Sequence, residues 1–208
     1  DTVDQRRSEW LNTDGSLNLH QRKPKKVLDV PGAPLELRCA WGANNNYCFT
    51  TTALTSKIWL IYEDDAGEWQ AKEVADIADP SKVPLPVDIS ISSDDNLLWV
   101  DTFMDGMTRV YDVSDPHKPR QVYEHAIGKQ INMLSQSWDG KRVYFTSSLL
   151  ANWDQKGEDN DQYLKAFDWD RKKLSHQFSI DFVAEKLGRP HQMRFGAYAL
   201  YGLRRDAP

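Results

Sequence analysis
The sequence predicts an all-β chain built of propeller-type blades, and three observations carry that expectation. Short apolar runs recur about every eight to twelve residues with turn residues between them, the pattern of consecutive antiparallel strands. A unit of about 45 residues then repeats. In both units a Ser-x-Asp turn comes before an apolar strand: Ser92-Ser93-Asp94-Asp95 ahead of Leu97–Val100, and Ser137-Trp138-Asp139-Gly140 ahead of Arg142–Thr146. Four-stranded antiparallel meanders set radially repeat in this way; a β-sandwich is the alternative the same strands allow.

Residues 1–26 are polar, with a turn at Asn12-Thr13-Asp14-Gly15-Ser16 and a basic run around Pro24, and read as an extended arm or linker. Residues 27–208 carry the blades. Val27–Val30, Leu35–Arg38, Tyr47–Thr51 and Lys57–Tyr62 read as strands, followed by a hairpin tip over Glu63–Glu68 and a returning strand over Trp69–Ala75. The next unit holds Val87–Ile91, Leu97–Val100 and Arg109–Val113, and the one after it Met133–Ser135, Arg142–Thr146 and Tyr163–Trp169. From about residue 182 the tail is irregular. At about 45 residues per blade, 208 residues give roughly four blades, the low end for a closed ring. An open set leaves a bare strand edge and an apolar blade face. The expectation is therefore that a second polypeptide supplies the missing blades, with closure as a small four-bladed ring the competing one.

The formal net charge of −5, with Lys and Arg scattered among an excess of carboxylates, argues against nucleic acid as a partner. No apolar run approaches the roughly 20 residues that cross a bilayer. Asp1 stands where an initiator Met would, so the first residue reads as a product of processing, compatible with a removed signal peptide.

Cys39 and Cys48 flank a turn-like stretch, Trp41 to Tyr47, where paired strands bring them within disulfide reach; two ordinary buried thiols are the equal alternative. None of the five histidines has the i, i+2 or i, i+4 spacing of a local metal pair. His20, His117, His125 and His176 lie in polar surroundings and read as surface or structural residues. His191 differs, because Arg189-Pro190-His191-Gln192-Met193-Arg194-Phe195 is a compact segment after the strands have ended. Asp88, Asp105 and Asp139 read first as turn residues whose side chains bond nearby amides. The eight tryptophans fall mostly in strands and read as blade packing. No glycine-rich phosphate loop, Gly-x-Ser-x-Gly elbow or Cys-x-x-Cys is present.

At the two blade units the sequence resembles the selenium-binding protein and methanethiol oxidase family, in its C-terminal half. Val87-Asp88-Ile89 through Ser93-Asp94-Asp95 to Leu97-Leu98-Trp99, then Arg109-Val110-Tyr111-Asp112-Val113-Ser114-Asp115-Pro116, is similar to that family's T-D-I-x-x-S-x-D-D-R-F-L-Y and R-x-Y-D-x-S-D-P run. Met133 through Leu149 with Trp153-Asp154 resembles its M-x-Q-L-S-x-D-G-K-R-L-Y-x-T-x-S-L and W-D run. Pro34–Arg38, Asp181-Phe182 and Pro190–Phe195 resemble its P-L-E-I-R, D-F and A-H-E-x-R-Y segments.

The resemblance implies a ring of about seven blades. It also implies copper-dependent oxidation of methanethiol by oxygen, giving formaldehyde, hydrogen sulfide and hydrogen peroxide, and a periplasmic setting. A soft thiol substrate and imidazole ligands suit copper, and oxygen reduction needs a cofactor. His191 matches the family's C-terminal histidine and is the metal-ligand candidate, with Asp105 and Asp88 as weaker ones. The departures are specific. Phe103-Met104-Asp105-Gly106 stands where the family has W-x-H-G, a carboxylate for an imidazole, and Gln192 replaces its Glu. The family's N-terminal half, with a His-His pair and a reactive Cys, has no counterpart here. These differences keep open a non-catalytic propeller used as a binding scaffold.

Overall fold
An isolated hairpin is marginal in water, so short strands joined by tight turns persist only where both faces of each sheet are covered. In the computed structural model, which describes residues 2–4, 26–147 and 161–193, that cover comes from stacking sheet on sheet. Three four-stranded antiparallel sheets follow one another along the chain, each running from an inner to an outer strand in sequence order. The first is β3 (Pro34–Cys39), β4 (Tyr47–Thr52), β5 (Lys57–Glu63) and β6 (Trp69–Asp76). A 3-10 turn at Pro80–Lys82 leads to the middle blade, β7 (Pro86–Ile91), β8 (Leu97–Thr102), β9 (Met107–Asp112) and β10 (Arg120–Ala126). The third is β11 (Ile131–Gln136), β12 (Arg142–Ser147), β13 (Tyr163–Trp169) and β14 (Leu174–Asp181). The inner strands β3, β7 and β11 lie side by side.

Length and repeat period predicted about four blades; the described residues form three. Segments 5–25, 148–160 and 194–208, which include Trp153-Asp154 and most of the arm, lie outside them. At the other end, β1 (Thr2–Asp4) pairs antiparallel with β2 (Val27–Asp29), and Leu28 packs with Cys48, Ile61 and Trp69 on the outer face of the first blade.

Each middle strand is buried on both sides because a blade packs on both its neighbours. On β8, Leu98 and Val100 join Phe49, Ile58 and Leu60 of the first blade, while Trp99 between them joins Phe145 and Trp169 of the third. The Ser-x-Asp repeat has a structural cause. Ser92 Oγ donates to Asp94 Oδ1 at 2.6 Å and accepts from Leu97 N at 2.9 Å. One blade later, Ser137 Oγ donates to Asp139 at 2.6 Å and accepts from Arg142 N at 2.9 Å. Each serine closes the mouth of its hairpin, leaving the aspartate to cap the amides inside the turn.

Asp95 adds a clasp between blades. Its Oδ1 accepts from Trp41 N at 2.7 Å, and its Oδ2 from Gly42 N at 2.8 Å and Asn45 Nδ2 at 2.7 Å. The same loop is closed by a disulfide between Cys39 and Cys48, which face each other on β3 and β4 with Cα atoms 3.8 Å apart. Of the two readings left open for these cysteines, the structure takes the disulfide.

Candidate functional site
The segment that carries His191 leaves the third blade after β14 and turns back along β11. Its carbonyls are tied down: the Thr146 hydroxyl donates to the carbonyl of His191, and Ser135 Oγ to that of Met193. Pro190 is buried while His191 is exposed, so the anchored backbone presents its imidazole outward. Nδ1 of His191 lies 3.4 Å from Asn132 Nδ2, and which ring nitrogen stays available follows from the amide's orientation. With the carbonyl oxygen of Asn132 turned to Nδ1–H, the lone pair at Nε2 is free to bind a metal.

Asp88 was read from sequence as a turn residue, and the structure corrects this. It lies within β7 with its side chain fully buried. Oδ2 accepts the backbone amide of Leu134 on β11 at 2.8 Å, and Oδ1 accepts from Ile89 N at 2.9 Å and from Arg38 Nη2 of β3 at 3.4 Å. Arg38 Nη1 in turn donates to Glu36 at 2.5 Å. One carboxylate therefore touches all three inner strands. Burial pushes its pKa up to about 7, against the pull of the Leu134 amide and Arg38.

Asp105 does occupy a turn, between β8 and β9. It accepts from the Thr102 hydroxyl and from Met107 N at 3.2 Å, and pairs with the nearly buried Arg109 at 2.6 Å. The structure does not bring Asp88, Asp105 and His191 together. Among the described residues no three His, Cys, Asp or Glu side chains converge, and both sulfurs are committed to the disulfide. Copper needs a set of imidazole or soft donors. The described residues offer one imidazole beside the inner strands and do not fit a complete copper site.

A cavity of about 390 Å³ opens beside the inner strands, with Arg38, Leu134, Gln192 and Met193 in its wall. Trp41 and Trp138, from turns of the first and third blades, meet edge to face at its rim, 5.2 Å between ring centres. Sequence reasoning passed over Asn132, Arg38 and Asp101. Asp101 could have been found by aligning the repeats, because Asp101-Thr102 occupies the place of Thr51-Thr52 and Thr146-Ser147.

Stacked meanders with adjacent inner strands define the chain as consecutive blades of a β-propeller. The chain belongs to the 56kDa selenium binding protein family, whose profile matches residues 15–198. A methanethiol oxidase of Ruegeria pomeroyi is 66% identical over 190 residues, covering 91% of this chain and 44% of that protein. The X-ray structure of a hypothetical selenium-binding protein from Sulfolobus tokodaii superposes with a TM-score of 0.69 at 27% identity, over 80% of this chain and 46% of that one. The β-propeller domain of Cps50 from Myceliophthora thermophila, at 10% identity and a TM-score of 0.59 over 81% of this chain and 51% of that one, shares the fold alone. The chain thus spans less than half the length of the Ruegeria pomeroyi relative. Among the described residues no helix is long and apolar enough to cross a membrane.

Proposed function
We propose that this chain carries the C-terminal blades of a methanethiol oxidase and contributes His191 as one ligand to a copper centre completed by residues outside it. The observation that carries this reading is the 66% identity over 190 residues to a protein named methanethiol oxidase. In the reaction, methanethiol and water give formaldehyde and hydrogen sulfide, releasing an electron pair and as many protons. Oxygen takes up both and becomes hydrogen peroxide. Copper held by His191 and by ligands outside this chain would supply the redox chemistry that side chains lack. This chain's residues hold and aim the imidazole: Thr146 and Ser135 fix the backbone of the His191–Met193 segment, and Asn132 sets which ring nitrogen faces outward. The blades that complete the ring correspond to the part of the relatives that this chain does not cover, and a second polypeptide carrying them would be its partner. The disulfide supports an oxidising setting such as the periplasm.

The test is to assemble the chain with the blades that complete the ring, then measure copper by mass spectrometry and peroxide release from methanethiol. Bound copper and turnover, both lost in His191→Ala, are the expected result. A folded, metal-free assembly without turnover would overturn the reading in favour of the binding scaffold that the substitutions at Asp105 and Gln192 first suggested.

A further inference from the structure
The middle blade differs from its neighbours along one transverse row. Where β8, β9 and β10 cross at the Asp88 end, the register partners are Asp101, Thr108 and His125, and Asp88 on β7 is the partner of Asp101. Register partners share a face with Cβ atoms roughly 5 Å apart, so these four side chains form a line from the inner strand to the outer one. The equivalent row is Thr51, Ile58 and Ala75 in the first blade, and Thr146, Leu164 and Ile180 in the third. Two blades thus keep a single threonine in an otherwise apolar row, whereas the middle blade is polar across its whole width.

The row lies inside the protein, on the face toward the third blade, where His125 meets Phe167 edge to face. Asp88, Asp101 and Thr108 are fully buried, and His125 is half-buried at the outer end. Neither oxygen of Asp101 nor the hydroxyl of Thr108 completes a hydrogen bond of normal geometry. A buried carboxylate with no donor is strongly disfavoured, and an ionised neighbour adds to that cost. The charged or titratable groups around the row are Arg38 and Glu36 beyond Asp88, Tyr123 with its hydroxyl 3.3 Å from His125 Nδ1, and Tyr163, Lys165 and Asp161 from the third blade. Lys165 Nζ is turned away, donating to the carbonyl of Ile127 at 2.5 Å. Asp88 has amide donors and Arg38; Asp101 has neither, and so it holds the proton. Burial and the Asp88 charge both push the Asp101 pKa well above the usual carboxylate range, with the Thr108 hydroxyl pulling the other way.

We propose that Asp88, Asp101, Thr108 and His125 form a proton path through the middle blade, joining its inner strand to its outer edge. In one step the Asp101 carboxyl O–H breaks and an O–H forms on Asp88, with no change in net charge. The Thr108 hydroxyl then gives its proton to Asp101 and takes one from the His125 side. The oxidase reading, on which the physiological use of this path rests, gives it a use without a net proton demand: the thiol half releases two protons and the peroxide half takes up two, and the path lets the site exchange them with the outer edge between the two halves.

Infrared spectroscopy of the assembled protein tests the path without relying on turnover. A protonated-carboxyl carbonyl band is expected to persist well above pH 7, where Asp88 has ionised, and to be absent there in Asp101→Asn. In D2O it shifts by exchange, slowly in Thr108→Val and at the wild-type rate in Thr51→Val, the matching position of the first blade. Methanethiol turnover is expected to fall by roughly 10²-fold in Asp101→Asn and Thr108→Val with KM unchanged. Absence of the band well above pH 7, equal exchange in the two threonine variants, or full turnover in Asp101→Asn overturns the proposal. Failure of the wild type itself to turn over methanethiol sinks only the oxidase reading and leaves the infrared result to decide.

Discussion
Asp88 Oδ2 accepts the Leu134 amide at 2.8 Å, so a side chain of one inner strand satisfies the open backbone edge of the next. Bare edges are the weak point of any unclosed sheet. Because the carboxylate also meets Arg38, the three blades are joined at one atom group as well as through apolar packing.

Removing that group should loosen the set. Asp88→Ala leaves a buried amide and a guanidinium without their acceptor, at a cost of about 3 kcal/mol. Urea unfolding should show the midpoint fall, while Asp88→Asn, which keeps one acceptor oxygen, falls less.

The two buried acids give stability a pH dependence of unusual sign. Their folded-state pKa values lie above the ordinary 3.8, so between about pH 4 and 7 the folded state binds protons that the unfolded chain has released. Their contribution is full below pH 4 and is lost as pH rises through the folded value, by up to about 1.4 kcal/mol per pH unit for each acid. Asp112 and Asp139, lowered by their Ser114 and Ser137 hydroxyl donors, contribute stability above the ordinary value that is lost as pH falls below it. Unfolding measured from pH 3 to 8 should therefore show a maximum on the acid side of neutrality. Asp101→Asn should flatten the alkaline limb only.

Much of this architecture was open to sequence reasoning, for a physical reason. Strands with a mostly apolar sequence, such as Tyr163–Trp169 with one face packed on the middle blade, were placed with the bounds observed. The outer strands Arg120–Ala126 and Leu174–Asp181 were not singled out, because largely exposed strands are not held to an apolar alternation. The site was harder. His191 is met by Asn132 and Thr146 across 59 and 45 residues, a distance that no local pattern encodes. Asp88 shows its amide partner only once the third blade is packed.

The disulfide closes a loop of nine residues' separation, and its removal should cost about 3 kcal/mol through the greater freedom of the unfolded chain. Cys39→Ser with Cys48→Ser, or wild type with reductant, should unfold at lower urea. Thiol titration of the denatured, unreduced protein should find both sulfurs unreactive.

Two glycines in left-handed turns make a matched pair. Gly106 has φ +70°, and a Cβ there would sit 2.5 Å from the carbonyl oxygen of Gly128, whereas Gly140 has φ +67° and open space around it. Gly140→Ala should cost about 1 kcal/mol from backbone strain alone. Gly106→Ala should cost clearly more in the same unfolding assay, because the backbone of the β10–β11 connection must move.

The Asp88–Leu134 bond spans 46 residues, and a ribosome adds about 5–20 residues each second. When β7 emerges, its carboxylate can already meet Arg38 but must wait roughly 2–9 s for the amide that completes it. During that interval the nascent middle blade shows one finished face and one bare one. The chain is thus made in an order that lets each blade serve as the template for the next, and a pause in translation before residue 134 would prolong the one stage at which a wrong partner could take the edge.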